Sequence, residues 1–266
     1  MTNVVSTDIQ RAIEGQYQLS FGAMVTEGWQ KVYGCKKHFF AALGWSILAS
    51  LCMALVLSGF EFLAYYFDSL ILVQSVLIAS DIGNALLQGI LVTGLFYLML
   101  RHINGEQIKG RMVFSMNHMF LSVLILCIDI LLIIILFCVL IDYLPSLSDA
   151  EKFNPAVFDL IIMAEYLFFL VMIPLFMYFS TVGRMIAFLI VDKKLTTSNA
   201  CKIAIKAVNQ KWIKNILIQI YLIVLWVLLL IPIIVTLGVA LIWMYPLMIN
   251  IQVIWYKQMF NTTQSK

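Results

Sequence analysis

Six long apolar runs alternate with short polar ones along this chain, at roughly residues 39–66, 72–100, 119–143, 157–191, 213–231 and 233–256. A bilayer core about 30 Å thick needs ~20 apolar residues per helix, and each run is close to that length or longer. Backbone N–H and C=O groups in lipid must be satisfied within the segment, so the pattern predicts helices rather than strands. The fourth run is too long for an upright crossing: from Asn154 to Val191 a helix would extend over about 55 Å at 1.5 Å per residue. It is expected to tilt, bend or project beyond the bilayer, with a kink at Pro174, which lacks a backbone donor. The fifth and sixth runs are separated by Pro232, with Thr236 and Gly238 just beyond it, so two full spans and a re-entrant pair both fit.

A second periodicity lies between the runs. Residues 20–36 place Phe21, Met24, Val25, Trp29, Val32 and Tyr33 at helical spacing opposite Thr26, Glu27, Gln30 and Lys31. Residues 197–212 repeat the pattern, with Ala200, Ile203, Ala204, Ala207, Val208 and Trp212 opposite Lys202, Lys206 and Gln210, and with Thr196 or Thr197 placed to cap the helix. Ile108, Met112, Met116 and Met119 make a shorter version after Gly105. Basic amphipathic helices of this kind lie in the headgroup plane. The chain therefore reads as three rounds of a surface helix followed by a helical hairpin, starting near Ser20, Gly105 and Thr196. The predicted architecture is all-α: a polytopic membrane bundle of six transmembrane helices with interfacial amphipathic helices. Residues 1–19 are expected to form a polar cytoplasmic tail, 20–260 a single membrane domain, and 261–266 a second cytoplasmic tail.

Charge orients this bundle. Of the 17 lysines and arginines, all but Lys152 fall on one side of the predicted spans. The opposite connections carry Glu61, Asp68, Asp81, Asp142, Asp149, Glu151, Asp159 and Glu165. Lys and Arg bias toward the cytoplasm, so both termini are expected there. Composition agrees: 63% apolar residues, 12% charged residues and a mean hydropathy of +0.98 exclude an ordinary soluble domain. The net charge of +3 averages a basic and an acidic face. Because the basic residues flank apolar runs, they point to anionic lipid headgroups and not to nucleic acid. The residues expected to meet lipid or a partner are Lys31, Lys36, Lys37, Lys202, Lys206 and Lys211. A membrane-protein partner and a second copy of the chain are also open. The first 20 residues are polar, and the first apolar run starts too late for a signal-peptide core.

Little in the sequence points to catalysis. Cys52, Cys127 and Cys138 lie inside apolar runs, Cys35 and Cys201 on the basic side, and no pair has metal-site spacing. Asp129 is an isolated acid within the third run, where an ionised carboxylate is expensive, and Arg184 in the fourth run is its candidate partner. The pair reads either as a lock between helices or as part of an ion or proton path. No nucleotide loop, zinc-protease helix or nucleophile elbow appears, so no enzyme activity, cofactor or metal is expected.

One family resemblance is visible. The stretches Leu19–Ala23, Glu27–Trp29 and Lys36–Phe39 resemble the opening of YciC-like bacterial inner-membrane proteins. The Pro174 segment followed by Val191–Thr196, Asn199–Ala200 and Lys202–Trp212 is similar to the same family, as are Leu237–Pro246 and Trp255–Phe260. The membrane domains of some glycerophosphodiester phosphodiesterases look related. The resemblance implies a six-span, multi-pass protein of the bacterial cytoplasmic membrane. It carries no activity over, because the phosphodiesterase barrel has no counterpart here. The function expected is therefore non-enzymatic: binding of lipid or a membrane partner through the cytoplasmic-side helices. The alternative is a transporter or channel-like protein for an ion, lipid or small amphiphile that uses Asp129 and Arg184.

Overall fold

The computed structural model describes residues 2–67, 70–114 and 155–260. The third predicted run and Asp129 lie outside the described residues. Among those described, every regular element is helical: α1 (Thr2–Ile13), α2 (Phe21–Val32), α3 (Lys36–Tyr66), α4 (Leu70–Ile103), a 3-10 helix (Gly110–Phe114), α5 (Pro155–Lys193), α6 (Thr197–Gln210), α7 (Trp212–Val235) and α8 (Leu241–Phe260).

Four stretches are long and apolar enough to cross a membrane: Lys36–Leu63, Ile82–Ile103, Ile173–Lys193 and Trp212–Val235. They belong to the first, second, fourth and fifth apolar runs. The sixth run forms α8, which is not among the four. Asn250, Gln252, Lys257 and Gln258 dilute its hydropathy, and from Pro246 onward it is buried at nearly every position instead of facing outward. Both ends of α8 reach the basic end of the α3–α4 hairpin: Lys36 lies 4.4 Å from the Trp243 ring, and Lys257 donates to Asn104 at 2.9 Å.

Burial is concentrated at the basic ends of the long helices. In α3 it covers Phe39, Ala42 and Ser46, in α4 Leu91 to Ile103, in α5 Thr181 to Val191, and in α7 Asn215, Ile218, Gln219 and Leu222. Beyond these points the shafts turn apolar side chains outward, among them Leu51, Leu55 and Phe62 on α3 and Leu228, Ile231 and Val235 on α7. An exposed apolar patch of this size on a soluble protein would aggregate, whereas lipid covers it at no cost.

The amphipathic segments complete a cap over the basic ends. Ser20 caps α2 through its hydroxyl, which accepts from Ala23 N at 3.4 Å. Met24, Gly28 and Val32 then face α8, and a Cβ added at Gly28 would come within 3.1 Å of Ile251 Cγ1. The small face of α6, Ala200, Ala204 and Ala207, turns inward, and α6 packs against α5. Tyr178 Oη donates to Asn209 Oδ1 at 2.6 Å, so α6 runs back beside the last four turns of α5. The helix continues through Pro174 from Pro155 to Lys193.

Two further features depart from the sequence reading. The segment read as a polar tail contains α1, and Ala12 and Tyr17 are fully buried against the cap. In the second round, the described part of the surface segment is a single 3-10 turn, wedged between α3 and α4. The wedge depends on glycine: a Cβ at Gly110 would lie 2.6 Å from Ala41 Cβ and 2.9 Å from Ala42 N. Gly110→Val is therefore expected to destabilise the fold by about 1–3 kcal/mol, as overpacking does. The unfolding midpoint of the purified protein in detergent checks this. Gly22→Ala, which meets nothing within 4 Å, should leave the midpoint unchanged or slightly raised.

Candidate functional site

The most polar interior site gathers on Arg184, nine residues before the end of α5. Its Nε–H donates to Ser180 O at 3.2 Å, and Nη2 donates to Ser180 Oγ at 2.9 Å and to Gln219 Oε1 at 2.8 Å. The amide of Gln219 can take only one orientation here. Its oxygen faces the guanidinium donors, and its Nε2 faces two acceptors, Met177 O at 2.8 Å and Thr181 Oγ1 at 2.5 Å. The Trp255 ring lies 5.8 Å from Arg184 Cζ, within cation–π range. Trp255 Nε1 in turn donates to Asn215 Oδ1 at 3.3 Å, and Asn215 Nδ2 donates to Val208 O at 3.1 Å. One chain of polar contacts thus joins α5, α6, α7 and α8.

Among the described residues no carboxylate lies within ion-pair distance of Arg184. The cation is held instead by a hydroxyl, an amide oxygen, a backbone carbonyl and an indole face. Such a set of neutral dipoles solvates a charge without adding a second one. The predicted partner Asp129 lies outside the described residues.

A second polar cluster ties down the N-terminal segment. Tyr17 Oη donates to Ala207 O at 2.8 Å, while Lys211 Nζ donates to Tyr17 O and lies 4.6 Å from its ring. Burial raises the Tyr17 phenol above its ordinary range, and burial together with neighbouring Lys214 lowers the Lys211 ammonium. Burial also pushes the Cys35 thiol up to about 11, where it stays protonated and donates to Val32 O.

The six lysines singled out from the sequence divide into two groups. Lys37, Lys202 and Lys206 are exposed. Lys31, Lys36 and Lys211 are half-buried: Lys36 Nζ sits 4.9 Å from the Tyr33 ring and near Trp243, and Lys211 clamps Tyr17. Sequence reasoning missed Tyr17, Asn215 and Trp255 as network members. Tyr17 sits in a polar stretch with no periodicity, and the other two read as ordinary span residues.

Comparison with known proteins gives no match, whether to family models, to curated proteins or to solved structures.

Gln219 is the hinge of the polar network, since it satisfies Arg184 and two α5 acceptors at once. Gln219→Leu should cost about 1–3 kcal/mol, the range for leaving buried polar groups unpaired. The midpoint of unfolding in detergent, followed by the fluorescence of the chain's six tryptophans, reads this. An unchanged midpoint would show that the network contributes nothing to the fold.

Proposed function

We propose that this chain is a multi-pass protein of the bacterial cytoplasmic membrane, with both termini inside, whose cap binds the anionic headgroup surface through an outward lysine face. The role is binding, with no chemical step. The observation that carries the reading is the way α2 and α6 are used. Met24, Gly28 and Val32 of α2 and Ala200, Ala204 and Ala207 of α6 are turned inward, against α8 and α5, while Lys202 and Lys206 of α6 and Lys37 at the start of α3 stay exposed. The resemblance to YciC-like inner-membrane proteins supports the same residence and orientation. The surface helices then act through charge, with Trp29, Tyr33, Ile205 and Trp212 exposed beside it. The polar network around Arg184 favours a structural role for that cation over a place in a transport path, because its contacts to Ser180 and Gln219 tie neighbouring helices together.

Each lysine near an anionic leaflet contributes about 1 kcal/mol, and that attraction is screened by salt. In nanodiscs containing phosphatidylglycerol and phosphatidylcholine, the wild-type protein should enrich the anionic lipid around itself, and high salt should weaken the enrichment. Lys202→Glu with Lys206→Glu should lower it by roughly tenfold or more, the effect of removing two such contributions. Equal enrichment in both proteins at low salt would remove the lysine face from the function.

A further inference from the structure

A separate cavity of about 360 Å³ opens at the basic end of the α3–α4 hairpin, lined by Gly34, His38, His102, Glu106, Gln107 and Lys109 among others. Three elements bring these residues together: the α2–α3 corner, the end of α4, and the loop that leads into the 3-10 helix. We propose that this cavity is a phosphate-binding site, distinct from the lysine face, and that its occupant is a phosphate group presented at the membrane boundary.

The lining favours an anion. Glu106 is the only acid among the described lining residues, and Arg101 holds that carboxylate at 2.5 Å. This leaves the Lys109 ammonium, the His38 imidazole and the Gln107 amide to face a ligand. The backbone N–H groups of Gln107, Ile108 and Lys109 make no hydrogen bond to another described residue. Consecutive amides without acceptors are the usual raw material of anion-binding concavities.

The cavity is also built and not incidental. His102 Nε2 lies 2.9 Å from Lys31 O, and since a carbonyl can only accept, the nitrogen there carries the proton and the ring is fixed. Gly34 closes the corner at φ +90°, a left-handed conformation that favours glycine, with its Cα side turned toward His102 Cε1. The Arg101–Glu106 pair and the bond from Glu106 N to Arg101 O hold the loop against the helix end. The cavity lies at the polar margin of two candidate spans, since His38 follows the first residue of one by two positions and His102 is the penultimate residue of the other. A lipid headgroup phosphate and free inorganic phosphate share the chemistry that such a site recognises.

The test uses the full-length protein in detergent, titrated with dihexanoyl phosphatidylglycerol and, separately, with inorganic phosphate, with heat or intrinsic fluorescence as the readout. Saturable binding of at least one of them is expected. Lys109→Gln and His38→Gln should each weaken it about tenfold or more, the worth of one charge-assisted hydrogen bond. Gln107→Glu, an exposed substitution that leaves packing intact, should weaken it at least as much by placing a second acid in the cavity. Lys202→Glu with Lys206→Glu should leave the affinity within twofold, which separates this site from the lysine face. Binding of the lipid alone identifies the source as a headgroup, and binding of phosphate by itself identifies the free anion. No binding of either probe, or affinities for Gln107→Glu and Lys109→Gln equal to wild type, would overturn the proposal.

Discussion

Burial of α8 is the constraint on which the rest of the structure depends. Four helices with outward apolar shafts have no reason to converge in lipid, because hydrocarbon solvates them as well as they solvate one another. Convergence has to come from packing that lipid cannot replace. Trp255, Tyr256, Met259 and Phe260 are fully enclosed, and Phe96, Phe188 and Tyr256 stack in series with centroids 4.9 Å and 5.0 Å apart. These rings draw α4 and α5 onto the same helix. α2 lies along its other side, and α1 closes over its end. The cap is a small aromatic-rich core in its own right, and the shafts are anchored in it.

The polar groups inside that core obey the same constraint. Arg184 is placed where a salt bridge would demand burial of a second charge, and its contacts among the described residues are dipoles. Gln219 carries most of this burden, because one amide both accepts from the guanidinium and donates to α5. Asn215 and Trp255 extend the contacts, so α7 and α8 are held in register with α5 by directional bonds. Directionality of this sort selects one arrangement among the many that apolar packing alone would tolerate.

Much of the architecture was legible in the sequence, and the parts that were not have physical reasons. The apolar runs marked α3, α4, α5 and α7 because length and hydropathy are properties of a segment by itself. Helical spacing in 20–36 and 197–212 marked α2 and α6, and Ser20 sat where its hydroxyl caps α2. What the apolar stripes would face was not legible. A stripe that reads as lipid-facing is equally suited to packing on another helix, and Gly28 against Ile251 shows the second use. α8 looked like a span because Ile, Leu and Trp serve an interior helix as well as a lipid-facing one. α1 escaped notice because its described buried residues, Asp8 and Ala12, are too few to make a pattern. At the sites the same limit holds. Arg184 was found because an isolated charge in an apolar run stands out. The convergence of His38 and His102 depends on the fold of the α2–α3 corner and could not be read from their spacing.

The central claim is that this cap gathers on the side of the membrane where the lysines remain, facing the cytoplasm. The most direct check is a single cysteine at Ser198, an exposed position near the start of α6, in a chain otherwise freed of cysteine. A membrane-impermeant thiol reagent should leave it unmodified in intact cells and modify it once the membrane is opened or inverted. Modification in intact cells at the rate seen in opened ones would place the cap outside and contradict the account.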